Sequence, residues 1–305
     1  MFFKFKAQAL EGYFKLYWEE IMKKKIFNIA LVAITALLLF GCGKKEEAKE
    51  EAKEAVKFEI TTTGPTVDAI KKKGKIVLGT SADFPPMEWT SFQSGKEEFT
   101  GVDIAIAQSI ADSLGVELEV KNMAFEGLLA SLNSGDVDMV IAGMGADEER
   151  KKQVDFSEEY SKGQQVLLVT EENKDKYKTF DDLKGKIVGT QLGTLQHKFA
   201  TEKFGNNCKG FDLNNVIIEQ LKNKSIDAAF LSELPAKQFA SITDGLVIIK
   251  DLGIPDDSGF AVAVKKGNDD LTGAVNEVVK GLKDSGQVDK WFDEYIELSN
   301  KEAMK

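Results

Sequence analysis

The chain of 305 residues carries 40 basic and 50 acidic side chains, for a net charge of −10. An acidic surface of this kind repels nucleic-acid backbones and anionic membranes, so we expect neither to bind to it. His197 is the single histidine, and Cys208 is the single cysteine after Cys42, so we expect no metal site, no cofactor and no disulfide within the body.

The N-terminal region predicts export from the cytoplasm. Three lysines at 23–25 precede an apolar run at 26–40, which is the order of a bacterial secretory signal. The run is shorter than the ~20 residues that span a bilayer as a helix. Its end, Leu39-Phe40-Gly41-Cys42, resembles the lipobox of bacterial lipoproteins, although Phe40 is bulkier than usual. We therefore predict a lipoprotein signal peptide at 22–41 and an acylated Cys42 as the mature N-terminus.

Residues 1–21 do not fit such a signal, because Glu11, Glu19 and Glu20 precede its basic head. We predict that Met22 is the true start and that the upstream residues are a non-native extension. A genuine amphipathic extension rich in Phe, Tyr and Trp remains the alternative. Residues 42–65 begin with alternating Lys, Glu and Ala, have no apolar face, and predict a solvated tether.

The body that follows is large enough for two modest cores. Its first part alternates strands and helices, which predicts a parallel sheet with right-handed crossovers. Asp103 is expected to cap the first helix, and Gly115 to end it. The predicted elements are a strand at 75–80, a helix at 103–114, a strand at 116–120, a helix at 127–132 and a strand at 137–142.

The same alternation recurs, so two α/β units are the simplest account. The predicted elements are a strand at 186–190, helices at 194–204 and 216–222, a strand at 226–231, a helix at 236–240, a strand at 260–264, and helices at 271–282 and 288–296. Ligands of such sheets lie beyond the carboxyl ends of the strands. The informative loops are therefore 79–89, 121–126, 142–150, 190–196 and 231–236.

Those loops contain an ordered set of motifs: GTSADFPPMEW at 79–89, GVD at 101–103, AGMGADEER at 142–150 with VDFS at 154–157, and VGTQLGT at 188–194. Together they resemble the bacterial extracellular solute-binding proteins of the polar amino-acid group, family 3, over about residues 70–298. That family supplies the receptor component of ABC importers. The resemblance implies a periplasmic-binding-protein fold, with two doubly wound α/β lobes, two hinge crossings and a ligand in the cleft between the lobes.

The implied crossings lie at 160–165 and 255–259, with lobe 1 at 66–162 and 258–305 and lobe 2 at 163–257. In the resemblance Arg150 pairs with the α-carboxylate of the ligand, and a guanidinium fork suits that group. A surface arginine paired with Glu148 or Asp155 is the alternative. Asp147 stands where the family commonly has Thr, and no role is assigned to it.

Other ligand contacts are also implied by the resemblance. Gly143, Met144 and Gly145 would offer a carbonyl to the ammonium and an N–H to the carboxylate. Across the cleft, Thr194 and the Leu195 N–H would add donors to the carboxylate at a helix N-terminus, with Gln191 beside them. Thr194 could also simply cap its own helix.

Ammonium and side-chain recognition depart from the family pattern. Ser232 stands where the family often has aspartate, and the adjacent Glu233 could replace it. Ser81 matches a position that is aspartate in members that bind basic or amide side chains, and Asp83 or Glu88 could supply that charge. Phe84 and Phe125 match the aromatic residues that sandwich the ligand side chain, with core packing as the alternative.

The sequence thus predicts a monomeric, lipid-anchored extracytoplasmic receptor for a free amino acid, polar or basic. It would deliver this ligand to a permease with a cytoplasmic ATPase. The alternative is an enzyme of the same fold that acts on a small carboxylic acid, in the manner of a dehydratase. We find no Ser/His/Asp set, and His197 is the one candidate catalytic group, so we predict that the protein is not an enzyme.

Overall fold

The computed structural model describes residues 56–250, 253 and 259–303. The predicted start, signal peptide and acylated Cys42 lie outside the described residues, as does most of the predicted second crossing at 255–259. Among the described helices, none has both the length and the apolar content that a bilayer crossing requires.

The first lobe is built on a five-stranded sheet in the order β5-β1-β6-β13-β7. Strands β1 (Lys75–Thr80), β5 (Glu117–Asn122) and β6 (Met139–Val140) run parallel, as predicted. Strand β13 (Ala263–Lys265) is antiparallel between β6 and β7 (Val154–Phe156). The chain therefore returns to its first sheet near the C-terminus, after it has built the second.

The second lobe repeats this plan in the order β10-β9-β11-β8-β12. The strands are β8 (Gln165–Thr170), β9 (Val188–Gln191), β10 (Cys208–Phe211), β11 (Ala228–Ser232) and β12 (Leu246–Ile249). The first three in the order are parallel, whereas β8 and β12 are antiparallel to their neighbours. The predicted two-lobed α/β fold is confirmed.

Each sheet is buried on both faces, which explains why its inner strands read as continuous apolar runs. On β1, Ile76 and Leu78 enter one core while Val77 enters another. The helices of the first lobe are α1 (Pro65–Lys73), α2 (Val102–Leu114), α3 (Leu128–Ser134), α7 (Asp269–Asp284) and α8 (Gln287–Ala303), and those of the second are α4 (Leu195–Phe204), α5 (Asn214–Lys222) and α6 (Glu233–Ile242).

A small antiparallel sheet was not predicted, because its strands are short and partly polar. It comprises β2 (Asp83–Phe84), β3 (Glu88–Ser91) and β4 (Glu98–Thr100). The predicted cap of α2 was also wrong. Gly101 occupies the cap position, and Asp103 lies fully buried in the first turn, where its carboxylate accepts the Gly143 N–H instead.

Two predicted strands are shorter in the structure, since 137–142 retains Met139–Val140 and 260–264 yields Ala263–Lys265. Near Phe260 the return segment instead meets the first crossing. The Tyr160 N–H donates to the Phe260 carbonyl and the Phe260 N–H donates to the Ser161 carbonyl, each over 2.9 Å. The segment between β7 and β8, which joins the two sheets, therefore runs beside the return segment of the chain at Tyr160.

Residues 56–64, which the sequence places in the tether, pack along the first lobe, and we call them the strap. Val56, Phe58 and Ile60 lie half-buried against its core. The Glu277 carboxylate on α7 accepts hydrogen bonds from the backbone N–H and the hydroxyl of both Thr61 and Thr62. The strap is therefore part of the folded body.

The fit of Phe58 against Gly281 of α7 provides a test of the strap. Glycine to alanine in a helix interior normally stabilises a protein by about 0.5–1 kcal/mol. At Gly281 the added methyl would lie 2.5 Å from the Phe58 ring, so we expect Gly281→Ala to displace the strap. The measurement is the rate of tryptic cleavage after Lys57, which should rise, with exposed Lys280→Ala as control. An unchanged cleavage rate together with a higher melting temperature would show that the packing of Phe58 does not require glycine at position 281.

Candidate functional site

A cleft between the two sheets gathers most of the predicted ligand contacts. The loop after β1, the first turn of α4 and the end of β11 face one another across it. Ten of the twelve predicted residues line this cleft, namely Ser81, Phe84, Phe125, Gly143, Gly145, Arg150, Gln191, Thr194, Leu195 and Ser232.

The structure does not bring Met144 and Glu233 into the cleft lining. The Met144 side chain is 1% exposed in the core of the first lobe, and its carbonyl accepts the Ala261 N–H over 3.1 Å. Glu233 begins α6 and pairs with Lys237, 3.1 Å away, and with Lys250. Partial burial raises the pKa of its carboxyl, but hydrogen bonds from these lysines outweigh that effect and hold the pKa below its usual value. Adjacency to Ser232 was therefore a poor guide to where Glu233 points.

Arg150 is buried at the cleft rather than displayed on the surface. Its Nε lies 3.3 Å from Oδ2 of Asp147, and its Nη1 donates to the Gly145 carbonyl over 2.8 Å. Asp147 also accepts the N–H of Arg150 over 3.0 Å, so it orients both the backbone and the guanidinium. The guanidinium carbon lies 5.5 Å from the centre of the Phe125 ring, a cation–π contact.

The alternative prediction, a surface arginine paired with Glu148 or Asp155, is wrong. Glu148 pairs with Lys151 over 3.0 Å, and Asp155 pairs with Lys266 over 2.6 Å. Asp147, for which the sequence suggested no role, is the carboxylate that fixes the arginine.

Polar contacts connect the two lobes across the cleft. Arg150 Nη2 donates to the Gly193 carbonyl over 3.0 Å. Asp83 of the first lobe accepts the Asn214 N–H over 2.6 Å and the Gln191 amide over 3.3 Å. The walls of the cleft are therefore held close enough to enclose a small molecule.

The N-terminus of α4 forms the wall opposite Arg150. Thr194 caps it, since its Oγ1 accepts the His197 N–H over 3.1 Å and donates to the Gln191 carbonyl over 2.6 Å. Leu195 is the first helical residue, and its N–H belongs to the end of the helix that carries partial positive charge. The capping alternative is thus correct, and the same geometry suits an anion in the cleft.

Two buried amides that sequence reasoning missed also line the cleft. Gln196 donates to the Ser232 hydroxyl over 3.0 Å, and Asn214 donates to the Gln191 side-chain oxygen over 3.2 Å. Gln196 follows directly after the Thr194-Leu195 pair in the first turn of α4, which was the available signal. They hold Gln191 and Ser232 in fixed orientations.

Phe84 and Phe125, the two predicted aromatic residues, line the cleft and also pack against neighbouring side chains of the core. The Phe84 ring lies edge-on to Phe260, with centroids 6.2 Å apart, and covers Gly143. A β-carbon on Gly143, whose φ is +52°, would lie 2.7 Å from Phe84 Cε1. Glycine is therefore required here by both backbone conformation and contact.

Asp83 and Glu88 line the cleft on the first-lobe side, and the carboxyl group of Asp103 lies buried beside Glu88. Burial raises the pKa of Glu88 well above its ordinary value, and the like charges of Asp103 and Asp83 add to this. Burial also raises the pKa of Asp103 to about 6, opposed by hydrogen bonds from the Gly143 N–H and the Tyr160 hydroxyl. Burial raises the pKa of Asp83 as well, and hydrogen bonds from Asn214 and Gln191 oppose this effect.

Comparisons with known proteins show the family of the chain. Residues 76–298 match the family of bacterial extracellular solute-binding proteins, family 3, and the chain belongs to that family. Similar proteins include the arginine-binding extracellular protein ArtP of Bacillus subtilis, 31% identical over 78% of this chain and 94% of ArtP. The L-cystine-binding protein TcyJ of Escherichia coli is 34% identical over 74% of this chain and 85% of TcyJ.

Among solved structures, the amino acid ABC transporter substrate-binding protein AbpA of Streptococcus pneumoniae, bound to L-arginine, is similar with a TM-score of 0.73. It is 36% identical, and the match covers 76% of this chain and 98% of that one. These relatives are binding proteins. Amino-acid binding is therefore favoured over the dehydratase alternative.

Proposed function

We propose that this protein is the substrate-binding component of an ABC importer and captures a free amino acid between its lobes. The observation that carries the proposal is the buried Arg150, oriented by Asp147, opposite the N-terminus of α4. A guanidinium and a helix N-terminus are two groups that bind carboxylates. The α-carboxylate of the ligand would lie between them.

The remaining walls suit a polar or basic ligand side chain. Glu88 and Asp83 line the cleft on the same side as Phe84, so a cationic group there would gain both charge pairing and aromatic contact. The Gly143 carbonyl and the Ser232 hydroxyl are the groups we assign to the ligand ammonium, because Glu233 is paired with lysines elsewhere. The arginine bound to AbpA supports a basic ligand.

Delivery requires a partner that distinguishes the loaded protein. Closure of two lobes around a ligand creates a surface that spans both of them, and we assign its recognition to a permease with a cytoplasmic ATPase. The protein would act as a monomer outside the cytoplasm, held to the membrane through acyl chains on Cys42. Two acyl chains are enough for stable attachment, whereas one is marginal.

The test is a calorimetric titration of the purified protein against the common amino acids. We expect binding of one amino acid or a small group with basic or amide side chains. Failure of all of them to bind would contradict the proposal, and turnover of a cyclic carboxylic acid such as prephenate would favour the enzyme alternative. Mass spectrometry of the mature N-terminus tests the anchor, which an unmodified Cys42 would exclude.

A further inference from the structure

Among the residues that the structure describes, Glu88 has neither a counterion nor a hydrogen-bond donor, which is unusual for a fully buried carboxyl group. It is 0% exposed, and neither of its oxygens accepts a hydrogen bond from any residue that the structure describes. It opens β3 at the cleft wall. Removing a carboxylate from water without a partner costs several kcal/mol, so Glu88 either holds a proton or awaits a cation.

Asp103 is the neighbour that determines which of these applies. It is also 0% exposed, and its two oxygens accept the Gly143 N–H over 2.7 Å and the Tyr160 hydroxyl over 2.9 Å. These donors favour the ionised form of Asp103, while none favours an ionised Glu88. The side chains of Glu88 and Asp103 lie within hydrogen-bonding reach of each other. Two buried carboxyl groups so placed share a proton, because both cannot ionise together at low cost.

The other charged and titratable groups around the pair do not supply the missing positive charge. Asp83 on β2 adds like charge, and Tyr160 in the crossing is a donor whose own pKa is raised well above its ordinary value by burial. Arg150 lines the same cleft, but its guanidinium is bound by Asp147 and by the carbonyls of Gly145 and Gly193. Within the described residues, Glu88 therefore lines the cleft with Asp103 behind it, and a proton is the positive charge left to the pair.

We infer that a cationic amino acid enters this site by exchange, displacing the proton that Glu88 shares with Asp103. The inference rests on the proposed function and adds that binding of a cationic ligand releases a proton. The O–H bond of Glu88 breaks, the proton passes to water, and the carboxylate that forms pairs with the ammonium or guanidinium of the ligand. The total charge at this wall of the cleft is unchanged by loading.

Exchange has a consequence for pH dependence. Because the bound cation lowers the pKa of the pair, a ligand that releases one proton gains affinity as pH rises, by up to about tenfold per unit. Above the pKa of the pair in the free protein, the affinity no longer rises with pH. A neutral ligand of the same shape releases no proton and gains nothing.

The experiment titrates the purified protein near neutral pH with L-arginine, L-lysine and L-citrulline, which is the neutral analogue of arginine. Each titration is run in two buffers that differ in ionisation enthalpy, so the number of protons released is measured directly. We expect about one proton per arginine or lysine, and none for citrulline.

Glu88→Gln mimics the protonated form, because its amide can donate to Asp103. It should weaken arginine binding at least about 30-fold and abolish proton release, and its effect on citrulline binding should be much smaller. Glu119→Gln is the control, since Glu119 lies on β5 and pairs with Lys75 away from the cleft. Arginine binding without proton release in the parent protein would overturn the inference and leave the proposed function intact. Absence of binding by any amino acid would overturn both.

Discussion

Arg150→Ala is expected to weaken binding of every amino acid that has a free α-carboxylate by at least about 30-fold. Truncation leaves the ligand carboxylate without its guanidinium and removes the cation that now lies 3.3 Å from Asp147, which keeps only backbone N–H donors among the described residues. Losing one member of such a pair costs about 2–5 kcal/mol. The measurement is calorimetry with the amino acid found to bind best.

Two further variants separate a ligand contact from a general loss of charge. Lys151→Ala removes the neighbouring cation, whose side chain is half exposed and pairs with Glu148, and it should bind as the parent does. Arg150→Lys keeps the charge but cannot reproduce a bidentate fork, so it should also bind weakly. Equal affinity of Arg150→Ala and Lys151→Ala would exclude the α-carboxylate assignment.

Gly193→Ala is expected to obstruct the closed arrangement of the lobes. Gly193 lies between β9 and α4, and a β-carbon there would lie 2.7 Å from Glu126 Cα in the first lobe. Overpacking of this kind costs about 1–3 kcal/mol, which corresponds to a loss in affinity of about 5–150-fold. Small-angle scattering should also show less compaction on addition of ligand than in the parent protein.

Gly185→Ala is a matched control for the backbone strain. Its φ of +76° is nearly that of Gly193 at +75°, yet a β-carbon at Gly185 would have no described atom within 4 Å. Both variants place alanine in the left-handed backbone conformation, which costs about 1–2 kcal/mol of stability. If Gly185→Ala lost as much ligand affinity as Gly193→Ala, strain rather than contact between lobes would be the cause.

Elements with strong periodicity were predictable from sequence, whereas short strands were not. The apolar face of α2 and the glycine that ends it, Gly115 at φ +74°, were both identified. The small sheet of β2, β3 and β4 was missed because strands of two to four residues show no alternation above chance. Its position matters, since β2 and β3 supply Asp83, Phe84 and Glu88 to the cleft.

Placement in the cleft followed from loop position, but the direction of each side chain did not. Met144 and Glu233 lie in the right loops, yet one enters the core and the other pairs with lysines. Side-chain direction depends on partners distant in sequence, such as Lys250 for Glu233, and no local pattern encodes these. Asp147 remained unassigned in the sequence for a similar reason, because its role depends on the turn that brings it against Arg150.

The strap determines which lobe would bear a pulling force applied from the N-terminal side of the chain. Residues 56–64 are fixed to α2 and α7, for example through Ser113 with Phe58 and Glu277 with Thr61, and both helices belong to the first lobe. Tension applied from the N-terminal side of the chain is therefore taken up by one lobe and does not cross the cleft. Movement of the second lobe would not work against such tension, so the free energy of closure would not depend on it.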